Sequence, residues 1–223
     1  MSIHGADLAP NKTTGLIFVY SGSMTSAKPD VRQHIIDTGM AIILGKGYSA
    51  VGLNEILGAA GVPKGSFYHY FASKERFGEA LLADYVADYL ARLDAVLDAP
   101  GPAAQRLMAY WDSWIEPGID DSASCSCLVV KLSGEVADMS EAMRLALLNG
   151  TNLIIARIAA CLRAGAADGS LQAAADPDDM AQTLYQMWLG AALLTKLRRN
   201  RSALCSARAA TERLLALATH GTA

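Results

Sequence analysis

GLNEILGAAGVPKGSFYHYFASKERF, residues 52–77, is the stretch whose punctuation decides the fold. Leu53, Ile56, Leu57 and Ala60 recur at helical spacing, and Gly61 then breaks the run. Pro63 allows a new helix to begin at Lys64 but forbids its backward extension. Phe67 and Phe71, four apart, point inward, and Ser73 caps a further helix with Glu75 in its positive first turn. Two short helices joined by a tight glycine turn, with Val62 plugging the angle, make a helix-turn-helix. Its second helix offers Lys64, Ser66, Tyr68, His69 and Tyr70 to a DNA groove, and the small Gly65 lets the helix start approach a phosphate. Lys74 is placed for a phosphate of the flanking backbone.

Outward from this stretch the periodicity stays helical. Asp30 caps a helix whose face is marked by Val31, Ile35, Thr38 and Ile42, and Gly47 ends it. Phe77, Leu81, Tyr85 and Tyr89 repeat along the helix after Ser73, until the Pro/Gly cluster at 98–102 stops it. Five more helices follow: about 102–116, 124–137, 140–165, 176–199 and 202–219. The expected fold is all-α, with about nine helices. The spacing divides the chain into a flexible tail (1–27), a three-helix DNA-binding domain (28–76) and a ligand-binding and dimerisation domain (77–223). The alternative to a flexible tail is a translated leader with Met24 as the start.

Composition agrees. Apolar residues make up 52% and charged ones 18%, which excludes a disordered chain. The formal net charge is -3, yet residues 28–76 carry a net +2 while the rest of the chain is acidic, so only the head suits a polyanion. No signal peptide and no membrane-length apolar span is read, and Cys125, Cys127, Cys161 and Cys205 lack the spacing of a disulfide framework. A reduced, cytoplasmic protein without cofactor follows. Cys125 and Cys127 have no companion ligands for zinc. Catalysis by a Cys127 nucleophile would need a histidine base, but His4, His34, His69 and His220 lie in the tails and the head.

Residues 31–77, and the run from Gly61 to Phe77 above all, resemble the DNA-binding domain of the TetR family of bacterial regulators. Gly52-Leu53 departs from it where a phosphate-touching Thr is more usual. The resemblance implies a homodimer on a palindromic double-stranded operator, repressing nearby genes until a small-molecule inducer releases it. It also implies that the last two helices form the dimer's four-helix bundle, which suits the stripes Leu184, Trp188, Ala192 and Leu204, Thr211, Leu215.

SCLVVKLSGEVADMSEAMR (126–144) and LYQMWLGAALLTKLRR (184–199) are similar to the branch of that family that controls N-ethylmaleimide reductase or acrylate use. That branch implies an electrophile or short unsaturated acid as inducer. Cys127 and Lys131 share a helix face, and a nearby ammonium favours the reactive thiolate. Lys196 is the second cation expected near Cys127, with Tyr110, Trp111, Trp114, Tyr185 and Trp188 as apolar walls. Cys161 and Cys205 are expected to pack as small hydrophobes. The rival reading keeps the repressor but gives it a non-covalent hydrophobic ligand and no thiol chemistry. An activator in place of a repressor also remains open.

Overall fold

A computed structural model describes residues 30–116 and 128–215. Among these residues the chain forms nine α-helices and no strand: α1 (Val31–Lys46), α2 (Leu53–Ala60), α3 (Lys64–Tyr70), α4 (Lys74–Leu97), α5 (Ala103–Asp112), α6 (Leu128–Met139), α7 (Glu141–Ala167), α8 (Pro177–Arg198) and α9 (Ser202–Leu214). The expected tail at 1–27, the start of α6 at 124–127 and the end of α9 at 216–219 fall outside the described residues.

The expected caps set the boundaries. The Asp30 carboxylate accepts from the Arg32 and Gln33 amides at 3.0 and 3.4 Å. The Ser73 hydroxyl accepts from Arg76 N at 3.1 Å, and the Ser140 hydroxyl from Met143 N at 3.3 Å. Gly61 closes α2 in the left-handed region at φ 64, the conformation that favours glycine there. The α1 face differs by one position from the expected one. Ile35, Ile36, Gly39, Met40 and Ile43 are buried, while Thr38 and Ile42 are only half-buried.

Two buried clusters hold the fold. One gathers α1–α3 and the start of α4 around Phe67, Phe71 and Phe77, and it continues into Leu128, Leu132 and Val136 of α6 and Met143 and Leu147 of α7. The other surrounds Trp111 and Trp188, between the far half of α4 and α5, α7, α8 and α9. The head therefore does not pack alone: α6 is built into its core. Glycine makes the closest crossings possible. A Cβ on Gly39 would lie 2.4 Å from Phe77 Cζ, and one on Gly150 would lie 2.4 Å from Val86 Cγ2.

Two expectations need correction. Helix α7 contains an 18-residue window with a mean hydropathy of 1.6, long and apolar enough to cross a membrane, contrary to the expectation of no such span. It is packed by α4, α5, α6 and α8 and buries Met143, Leu147, Ile154, Ile158 and Leu162, while Leu145, Leu148 and Leu153 stay exposed. The stripes assigned to a dimer bundle are also spent internally. Leu184, Trp188, Ala192, Leu204, Thr211 and Leu215 are all buried, and Trp188 Nε1 donates to the Thr211 hydroxyl at 2.9 Å. The outward face of α8 is instead Gln186, Gly190, Leu193 and Leu197, the last 71% exposed.

Candidate nucleic-acid interface

Helix α3 is held by one side and bare on the other. Phe67 is fully buried and lies 5.2 Å from the Phe71 ring and 5.7 Å from the Phe77 ring. Such aromatic contacts fix the helix rotation. The opposite face exposes Lys64, Gly65, Tyr68, His69 and Tyr70, with Ser66 half-buried beside them. Tyr68 meets Phe67 edge-on at 5.5 Å, and the Lys64 ammonium sits 5.8 Å from the Tyr68 ring centroid. A cation, two phenols and an imidazole along two turns match what a major groove and its phosphates present. Nothing lies within 4 Å of a Cβ built on Gly65, so the protein's own packing does not require a glycine there. Gly65→Ala is thus expected to leave the melting temperature unchanged or slightly raised, since alanine favours helix by about 1 kcal/mol. If α3 closes on phosphate as proposed below, the same change weakens DNA binding in a fluorescence-anisotropy titration.

Lys74 is less free than its position in the sequence suggests. Its ammonium donates to the Tyr48 carbonyl at 3.0 Å and lies 4.4 Å from the Tyr48 ring centroid. Burial lowers its pKa, against the opposing charge of Glu135. The Tyr48 hydroxyl donates to Lys74 O at 2.6 Å, and burial, with the charges of Glu75 and Glu135, pushes its pKa up to about 12. This ammonium ties α4 to the α1–α2 corner through one of its N–H donors.

The expected sensor residues divide in the same way. Cys127, like Cys125, lies outside the described residues, directly before Leu128, the first residue of α6. Lys131 donates to the carbonyls of Leu44 and Gly45, the latter at 2.9 Å, so its donors are engaged by the end of α1. Burial and the nearby charge of Lys196 both lower the Lys131 pKa, with Glu135 opposing them. Lys196 is exposed on α8. Trp111 and Trp188 stack at 4.8 Å with both rings fully buried, Trp114 meets both edge-on, and Tyr185 is buried beside them. The Tyr110 hydroxyl lies 2.8 Å from that of Tyr89. Among the described residues, the buried Trp111 indole N–H has no hydrogen-bond partner. Cys161 is buried as expected, and burial raises its thiol pKa. Cys205 is not a packing residue: it is exposed on α9, in a surface recess with Arg208, Asp112 and Glu212.

Glu135 is the residue the sequence reading passed over. Its carboxylate accepts from the Tyr48 amide at 3.1 Å and from the Ser49 amide. Burial raises the Glu135 pKa, but the hydrogen bonds from Ser49 and Tyr48 and the charge of Lys74 outweigh it and hold the group below the usual carboxylate range. The available signal was its place four residues after Lys131, which puts both on one face of α6.

Comparison with known proteins agrees with this architecture. Residues 35–81 match the model described as bacterial regulatory proteins, tetR family, and residues 103–211 match the tetracyclin repressor-like C-terminal domain. The HTH-type transcriptional repressor NemR of Escherichia coli K12 is 39% identical over 188 residues, covering 84% of this chain and 94% of that protein. Transcriptional regulator AcuR of Cereibacter sphaeroides is 39% identical over 167 residues, covering 74% of this chain and 76% of its own. The crystal structure of E. coli NemR in its reduced form superposes with a TM-score of 0.76 at 40% identity, covering 82% of this chain and 96% of that one. These relatives are named as regulators of transcription, not as enzymes. The chain belongs to the TetR family of bacterial regulatory proteins.

Proposed function

We propose that the protein is a cytoplasmic transcriptional repressor that binds a palindromic operator as a homodimer and releases it when a small electrophile or short unsaturated acid acts near Cys127. The observation that carries the DNA half is the face of α3. Lys64, Gly65, Tyr68, His69 and Tyr70 are exposed on a helix that Phe67 fixes from behind. Residues 28–76 form the DNA-binding unit in this reading, with residues 77–223 for ligand and dimer. The bare leucines Leu193 and Leu197, in line with the small Gly190, suit a partner helix better than solvent.

For the sensor half, support comes from two lysines whose charges interact, Lys131 in the first turn of α6 and Lys196 on α8. Positive charge next to a thiol favours its thiolate. It also attracts a carboxylate, and Lys196 is the freer of the two ammoniums. In this reading the Cys127 thiolate adds to the β-carbon of a conjugated C=C. The sulfur–carbon bond forms, the double bond's electron pair moves to the α-carbon, and that carbon takes up a proton.

The non-covalent alternative has its own support in the buried Trp111 indole N–H, which has no partner among the described residues and suits an oxygen of an apolar ligand. Peptide mass mapping after treatment with N-ethylmaleimide or acrylate separates the two. The proposal expects an adduct at Cys127 in step with loss of operator binding. Release without an adduct would favour the non-covalent ligand.

A further inference from the structure

Helix ends leave carbonyls without partners, and the chain emerging from such an end carries free amides. At the end of α1 both are met by one face of α6. The Lys131 ammonium takes the carbonyls of Leu44 and Gly45, the placement a helix C-terminus favours for a cation. One turn further along α6, the Glu135 carboxylate takes the amides of Tyr48 and Ser49. Between them the chain bends at Gly47, with φ 91, and a Cβ there would lie 3.2 Å from Glu135 Oε2. Positive charge meets carbonyls and negative charge meets amides across one corner, so the two contacts fix both its place and its direction.

That corner leads to both sides of the reading helix. It runs on through residues 50–52 into α2, and Tyr48 holds Lys74, the first residue of α4, by two hydrogen bonds. Helix α3 ends at Tyr70, four residues before Lys74. A shift of α6 along its axis therefore displaces α2 and the start of α4 together, and α3 between them.

We propose that Glu135 and Lys131 are positioning residues for DNA binding, a charged clamp by which α6 sets the pose of α3 without touching DNA. The clamp rests on the reading that α3 enters DNA, but not on any identity of the inducer.

The test uses the full-length chain and two duplexes, the operator-bearing DNA from upstream of its own gene and a scrambled one. Glu135→Ala is expected to weaken operator binding about tenfold, within the usual range of coupling between linked sites. Affinity for the scrambled duplex should stay within about twofold, because the α3 phosphate contacts survive. Amide exchange at Tyr48 and Ser49 should quicken, and Glu135→Gln, which keeps one acceptor oxygen, should recover part of the operator affinity. Lys131→Met should reproduce the selective loss. Operator affinity equal to wild type despite faster exchange at the corner would overturn the clamp. So would equal losses on both duplexes accompanied by a lowered melting temperature and no recovery in Glu135→Gln. Failure of the unaltered protein to prefer its operator would instead overturn the DNA-binding reading.

Discussion

Tyr68→Ala is expected to abolish preferential binding to the operator, and Lys64→Ala to weaken it at least tenfold, with melting temperature and oligomeric state unchanged. The expectation follows from where these side chains are. Tyr68 is 48% exposed, and the neighbouring buried cluster is completed by Phe67, Phe71 and Phe77. Truncating Tyr68 therefore removes little of what holds the helix. Surface changes of this kind cost stability within about 0.5 kcal/mol. A good side-chain contact to a base edge contributes about 1–3 kcal/mol of discrimination. In a homodimer each substitution removes two such contacts, so operator preference falls by the square of the single loss. Lys64 acts through charge, and its removal should also flatten the salt dependence of binding, by about 0.9 in the logarithmic slope for each phosphate released. Unchanged operator binding in both variants would show that α3 is not the reading helix.

The second large effect is at the thiol. N-ethylmaleimide should release the unaltered protein from its operator, and Cys127→Ser should bind the operator normally and stay bound under the same treatment. The two described cysteines serve as internal controls. Cys161 is buried, with its thiol pushed up by that burial, and should react slowly. Cys205 is exposed on α9 and should be alkylated in both proteins without consequence for binding. Lys196→Met separates the roles of charge and nucleophile. It should blunt the response to acrylate, which carries a carboxylate, more than the response to uncharged N-ethylmaleimide. Release of Cys127→Ser at the same reagent concentration as wild type would remove the thiol from the mechanism.

The head was legible in the sequence because its signals are local. Gly61 in the left-handed region, Pro63 before α3 and the Ser73 cap each act within a few residues of their position, and the boundaries of α2, α3 and α4 follow from them. The sensor side depends on contacts that no local pattern encodes. Lys131 was placed by its spacing from Cys127, yet its ammonium is taken by α1 carbonyls 86 and 87 residues away. Helix α8 is apolar on more than one face, so periodicity could not tell the stripe through Trp188 from the one through Leu193 and Leu197. Only the packing against α7 and α9 decides which is buried. Lys74 shows the same limit. Its charge was visible, but its pairing with Tyr48 was not.

The central claim, a repressor that reads DNA through α3, is tested most directly by titrating the full-length protein against duplex DNA from upstream of its own gene and against a scrambled duplex. Fluorescence anisotropy at fixed salt measures both affinities, and nuclease footprinting on the first duplex locates the site. The account predicts binding at least a thousandfold tighter to the upstream duplex, in the ordinary range of specific over non-specific recognition, with a two-fold symmetric footprint. Equal affinity for the two duplexes, with no protected site, would contradict it.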